Sequence, residues 1–153
     1  MNLDKNLIDK FVNITSDAAV ACHKFIGKND KIIADKATTD SMRNNLNNLN
    51  INGKIVIGEG EIDKAPMLYI GEKLGTGKGP EIDIAVDPLE GTNFAAKNLP
   101  GALSVIAISE KNNLFKAPET YMEKISTRIY EKNVVDLDYS LKKNISNLSD
   151  YLN

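Results

Sequence analysis

Two apolar runs in this chain each break into glycine and carboxylates, and that repeated ending limits its folds more than any other feature. Ile55-Val56-Ile57 runs into Gly58-Glu59-Gly60-Glu61-Ile62-Asp63. Residues Ile82 to Val86 run into Asp87-Pro88-Leu89-Glu90-Gly91-Thr92. Short apolar runs bounded by turn residues read as buried strands. Both sit among segments of helical periodicity, and irregular alternation of strands and helices predicts a layered α/β or α+β fold. No internal repeat and no linker divides the chain, so its 153 residues read as a single unit.

The helical segments follow from apolar spacing. Leu3, Leu7, Phe11, Ile14, Ala18, Ala21 and Phe25 recur every three or four positions, predicting one long amphipathic helix that stops near Gly27. Residues 27–38 read as a polar connection interrupted by Ile32 and Ile33. A second helix is expected to start at Thr39 or Asp40 and to bury Met42, Leu46 and Leu49. Beyond the first acidic turn, 65–75 reads as helix or strand ended by Gly75. The Gly-rich stretch 75–81 matches no nucleotide-binding pattern and reads as a surface turn. Residues 102–109 read as a continuous buried strand, with 110–113 as a turn and 114–116 as a possible hairpin return. A short helix near 118–124, a strand over 134–138 and a terminal helix bearing Leu141, Ile145, Leu148 and Leu152 complete the expectation.

Composition removes several kinds of chemistry. Charge is nearly balanced, 19 Lys and Arg against 21 Asp and Glu, and no basic cluster suits nucleic acid. Charged residues interrupt the first ten positions, and no apolar run reaches membrane-spanning length, so a cytoplasmic protein with no membrane contact is expected. The single cysteine, Cys22, and single histidine, His23, are sequence neighbours. Adjacent side chains on a helix do not face each other, so they do not form a nucleophile–base pair. What is left for chemistry is carboxylates, Lys, Thr, Ser, Tyr and backbone.

Those carboxylates are concentrated at the two strand ends. In layered α/β folds, ligands gather where strand ends open into loops. If the two strands are neighbours, Glu59, Glu61, Asp63, Asp87 and Glu90 converge, and Asp35 is placed to join them. Several carboxylates in one crevice repel unless cations neutralise them, and all-oxygen donors select hard cations such as Mg²⁺ or Mn²⁺. In the second turn, Asp87 is expected to end the strand, Pro88 to fix φ, and Leu89 to anchor inward so that Glu90 faces the same way as Asp87. A helix starting at Gly91 would point the N–H groups of Gly91, Thr92 and Asn93 at an anion. Singly, each acidic turn suits solvent as well as a ligand. Two in one short chain, each after an apolar strand, favour a site for metal-assisted phosphate ester hydrolysis.

At these residues the sequence becomes recognisable. The run IVIGEGEIDKAPMLYIGEKLGTGKGPEIDIAVDPLEGT, 55–92, closely resembles class II fructose-1,6-bisphosphatases. Its DPLEGT turn also resembles the signature of the wider lithium-sensitive phosphatase superfamily, which includes inositol monophosphatases. The likeness extends through NDKIIAD, APETYMEKI and VVDLD, over essentially the whole chain. It implies the first half of the sugar phosphatase fold, with residues 1–153 as a metal- and phosphate-binding half and a C-terminal half absent. It also implies two divalent ions, Mn²⁺ or Mg²⁺, held by Asp35 and Glu59 and by Asp87 and Glu90. Glu90, Gly91 and Thr92 correspond to the phosphate-contacting turn and Tyr121 to a substrate contact. Lys31 and Glu61 correspond to further active-site groups, and Asp63 with Thr92 to the pair that activates water.

The implied reaction removes the 1-phosphate of fructose 1,6-bisphosphate, a step of gluconeogenesis. The implied partners are a sugar bisphosphate and either a second copy of the chain or a complementing C-terminal half. Two other readings stay open: an inactive remnant that binds metal or anion, and a phosphatase of the same superfamily acting on sedoheptulose 1,7-bisphosphate or an inositol phosphate. One departure stands out, because Ile32 and Ile33 replace polar residues that the family carries between its Lys and Asp.

Overall fold

The computed structural model describes residues 5–58, 68–116 and 122–152. The chain forms two compact units, residues 1–119 and 120–153. Among the described residues, the first unit holds three helices, α1 (Lys5–His23), α2 (Lys31–Asn47) and α3 (Thr92–Ala96), and four strands. The strands are β1 (Asn52–Ile57), β2 (Lys73–Leu74), β3 (Glu81–Glu90) and β4 (Leu103–Glu110), in one mixed sheet ordered β2-β1-β3-β4. β1 and β3 are parallel neighbours, while β2 and β4 run antiparallel to them at the two edges. An α/β fold is thus observed.

α1 and α2 pack against each other and against the sheet. Phe11, Ile14 and Ala18 of α1 meet Met42 and Leu46 of α2 over Ile51, Ile55, Leu74, Ile82, Ile84 and Val86. Ile82, Ile84 and Val86 of β3 point into this core, as the two-residue strand period requires. Met42, Leu46, Ile55 and Ile84 are completely buried, and each such side chain contributes about 1.5–3 kcal/mol through lost contact with water.

Several sequence expectations change here. The second helix begins at Lys31, eight residues before the expected start at Thr39. Asp30 is its cap: Oδ1 accepts from the N–H groups of Ile32 and Ile33 at 3.1 Å each. That arrangement satisfies two of the N–H groups that a helix start leaves without partners. Ile32 and Ile33, which looked like an interruption, lie on the outside of the first turn at 71% and 47% exposure.

β4 also departs from the buried strand expected over 102–109. Its residues alternate between exposed and half-buried, with Leu103 and Val105 open and Ile106 and Ile108 against the core. The cause is position, since among the described residues β4 is an edge strand paired only with β3. No strand forms at 114–116 or at 134–138; the latter segment is a set of turns. Part of the helix expected near 118–124 lies outside the described residues, and 122–124 are not helical.

The second unit is built around α4 (Leu141–Leu152). Asn144 anchors the preceding turns: its Oδ1 accepts from the N–H of Asp136 at 2.9 Å and its Nδ2 donates to the Asp136 carbonyl at 2.8 Å. Ser140 Oγ accepts from the N–H of Lys143, a second local capping contact. No residue of α4 is buried.

Candidate metal and phosphate site

The parallel pairing of β1 and β3 sends both strands out of the same edge of the sheet. Ile57 pairs with Ala85, so Asp87 follows just beyond the level at which β1 ends. The condition on which the acidic turns converge, that their strands be neighbours, is met. Glu59, Glu61 and Asp63 themselves lie outside the described residues, as does Tyr121.

The DPLEGT turn differs in detail from the expectation. Asp87 does not end the strand; β3 continues to Glu90, with a register irregularity between Asp87 and Glu90 against β4. Asp87 Oδ1 accepts from the N–H of Leu89 at 3.1 Å, a local bond that bends the chain around Pro88. Leu89 is buried as expected, and Glu90 is exposed. Gly91 has φ of 79° and precedes α3, where its carbonyl accepts from the N–H groups of Phe94 and Ala95. A side chain there would combine that left-handed backbone with a Cβ 3.1 Å from the Phe94 ring, which is why glycine suits the position. Thr92 is the first helical residue and is half-buried.

A second set of contacts draws the α2 start to this turn. The N–H of Gly27 donates to the Ala95 carbonyl at 3.0 Å, and that of Asn29 to the Ala96 carbonyl at 2.8 Å. The α1–α2 connection is therefore stitched to the end of α3. Beneath it, Cys22, Ala34, Leu89 and Ala95 form a small apolar cluster flanked by Phe25 and Ala102. Asp35 follows Ala34 directly. It sits inside α2 and not in a polar loop, and it is 9% exposed. Lys31, also assigned to that loop from sequence, is the exposed first residue of α2. Thr38, one turn beyond Ala34, is fully buried and returns its hydroxyl to the carbonyls of Ala34 and Asp35.

The Cys22 thiol is pushed above its ordinary range, first by burial and then by the Asp35 carboxylate. A neutral, sheltered thiol is a packing residue and not a nucleophile. Asp35, Asp87 and Glu90 offer only hard oxygen donors, so the residues fit Mg²⁺ or Mn²⁺ in kind. Among the described residues, no three His, Cys, Asp or Glu side chains gather into a ready-made metal cage.

Comparison with known proteins bears on the same residues. The family model described as bacterial fructose-1,6-bisphosphatase, glpX-encoded, matches residues 5–153. The chain belongs to this family. It is 48% identical over 145 residues to fructose-1,6-bisphosphatase 1 class 2 of Escherichia coli (strain K12), a match covering 95% of this chain and 43% of that protein. It is 47% identical over 150 residues to the D-fructose 1,6-bisphosphatase class 2/sedoheptulose 1,7-bisphosphatase of Synechococcus sp. (strain CC9902), covering 98% and 45%. The chain thus spans less than half the length of the curated relatives it matches. Among solved structures, an extragenic suppressor from Pyrococcus furiosus is similar at 18% identity and a TM-score of 0.49, over 70% of this chain and 41% of that one.

Two residues that sequence reasoning overlooked connect α2 to the sheet: Arg43 and Glu72 form a half-sheltered ion pair. Neither belongs to an acidic turn. The signal that would have found them is a charged residue at a half-buried position of a helix whose true start is Lys31. No described helix is long and apolar enough to cross a membrane.

Proposed function

We propose that this chain supplies the metal- and phosphate-binding half of a sugar bisphosphatase that hydrolyses the 1-phosphate of fructose 1,6-bisphosphate. The observation that carries this reading is the junction of three segments at one sheet edge. β1 ends beside β3, which carries Asp87 and Glu90, and Ala34 of α2 packs with Leu89 and Ala95 next to the turn that begins α3. Membership of the bacterial fructose-1,6-bisphosphatase family supports it.

Asp35 and Glu59 would hold one divalent ion, and Asp87 and Glu90 a second. Bound there, Mn²⁺ or Mg²⁺ would supply charge neutralisation at the phosphate and a water of lowered pKa. The chain's own groups do the rest. Gly91 and Thr92 present backbone N–H groups at a helix start, where no intrahelical partner exists for them, and these orient the phosphate. The Thr92 hydroxyl orients water and passes its proton to Asp63. Lys31 and Glu61 flank the phosphate and water, and Tyr121 contacts the sugar.

The remaining contacts come from sequence that the relatives carry beyond the matched region, in the same polypeptide or in a separate one. Leu103 and Val105, exposed on edge strand β4, lie on a surface that such a half or a second copy of the chain would cover. The naming of the Synechococcus relative for two bisphosphates favours sedoheptulose 1,7-bisphosphate as a second substrate.

Purified chain with Mn²⁺ and fructose 1,6-bisphosphate is expected to release phosphate, and adding the C-terminal half of a relative is expected to raise the rate. No release under both conditions would overturn the catalytic reading. Binding is tested separately by thermal stability. Mn²⁺ at a hundred times its Kd should stabilise the wild type by about 2.7 kcal/mol, and Asp87→Ala should lose most of that gain. Equal shifts in both proteins would remove the metal from the Asp87 turn.

A further inference from the structure

Asp35, Thr39, Met42 and Leu46 lie four, three and four residues apart on α2, so they share one face of the helix. Met42 and Leu46 belong to the apolar core over the sheet, and both are completely buried. Ala34, beside Asp35, packs with Leu89 and Ala95 next to the turn that begins α3. The face therefore runs from hydrocarbon at its C-terminal end to a carboxylate at the end nearest that turn. Thr39 stands at the change, between Met42 and Asp35.

Thr39 and Thr38 are both enclosed, at 1% and 0% exposure, but only one of them is satisfied. The Thr38 hydroxyl reaches the carbonyl of Asp35 at 2.7 Å and that of Ala34 at 3.2 Å. The Thr39 hydroxyl is buried and finds no hydrogen-bond partner among the described residues. A hydroxyl left that way in an interior is destabilising, and valine would fill the same volume without that penalty. Side chains on a helix lean toward its N-terminus, so residue 39 leans over the turn that carries residue 35. Residues four apart on a helix are near enough for their side chains to bond. Oδ1 of Asp35 is enclosed as well.

We propose that Thr39 is a positioning residue for Asp35, its hydroxyl donating to the enclosed carboxylate oxygen and leaving the other oxygen for the divalent ion. This rests on the reading of Asp35 as a metal ligand. Ligating carboxylates are held by hydrogen bonds from groups that do not touch the metal, and losing such a group weakens affinity by about 10–100-fold. Thr38 does not take this role, because its single hydroxyl proton is directed at the backbone carbonyls of its own helix.

The test is Mn²⁺ affinity of the 153-residue chain, by titration calorimetry without substrate, with the metal-free melting temperature of each variant measured alongside. Thr39→Val keeps the shape and removes the hydroxyl. It should weaken Mn²⁺ binding by about tenfold without lowering the metal-free melting temperature. Thr39→Ser returns the hydroxyl and should recover most of the lost affinity. Thr38→Val should leave affinity unchanged, and Asp35→Ala should weaken binding more than any of these. Wild-type affinity in Thr39→Val, with binding weakened in Asp35→Ala, would overturn the positioning role and leave Asp35 standing as a ligand. Equal losses in Thr39→Val and Thr39→Ser, or in Thr39→Val and Thr38→Val, would overturn it too. So would a Thr39→Val chain that fails to fold or melts lower without metal, since its hydroxyl would then serve the fold. Wild-type affinity in Asp35→Ala, or no Mn²⁺ binding by the wild type, would remove the ligand and its positioning residue together.

Discussion

Helices α2 and α4 reverse what their sequences suggest. α4 carries a regular apolar stripe, Leu141, Ile145, Leu148 and Leu152, yet none of its residues is buried. α2 is rich in Asn, Thr and charged residues, yet it buries Ala34, Asp35, Thr38, Thr39, Met42 and Leu46. The difference lies in what stands opposite. α2 contacts α1, α3 and the sheet, so even small and polar side chains are enclosed. An amphipathic pattern states which face a helix can bury; burial itself needs a second surface.

That contrast can be broken by mutation. The largest effect is expected at Met42→Ala, which empties a fully buried site and should cost about 2–5 kcal/mol in urea unfolding. Ile145→Ala removes a larger share of its helix's apolar stripe but should change stability by less than about 0.5 kcal/mol, as exposed positions do. A loss at Ile145 comparable to that at Met42 would mean that the α4 stripe is covered. A middle-sized effect is expected at the start of α2. Asp30→Ala removes the cap from two N–H groups and should cost about 1 kcal/mol. If thermal unfolding is unchanged, the helix does not depend on that cap. The smallest effect is expected from the double change Ile32→Asn and Ile33→Thr. Both side chains face outward in the first turn, so stability should stay within about 0.5 kcal/mol and Mn²⁺ binding should be unaltered. A clear loss of binding would show that those isoleucines act on Asp35.

The same comparison accounts for what the sequence revealed and what it hid. α1, β1 and β3 were legible because their apolar spacing is regular and their ends carry glycine or acid. The start of α2 was hidden because Ala34 and Thr38 continue the stripe of Met42 and Leu46 with side chains too small or polar to register. Asp30, four residues before Ala34, was the available signal. The exposure of β4 was not legible, because an apolar run reads alike on an edge and at a sheet centre. Residues 134–138 have strand propensity, but among the described residues no strand pairs with them, and propensity without a partner gives turns. At the site, the acids could be named from their turns. Whether their strands adjoin depended on a parallel pairing that no local pattern encodes, and the Arg43–Glu72 ion pair depended on the same long-range arrangement.

The placement of β3 at the centre of the sheet also sets an order of events during synthesis. α1 and α2 are complete by Asn47, but the strand whose Ile82, Ile84 and Val86 floor their core ends at Glu90. At ordinary translation rates of about 5–20 residues per second, the helix pair waits roughly 2–9 s for that floor. During that interval Phe11, Ile14, Met42 and Leu46 have one another and then Ile51, Ile55 and Leu74, but not the Ile82, Ile84 and Val86 of the central strand. A chaperone that recognises exposed apolar helix faces therefore has its window on this chain before the strand carrying Asp87 has emerged.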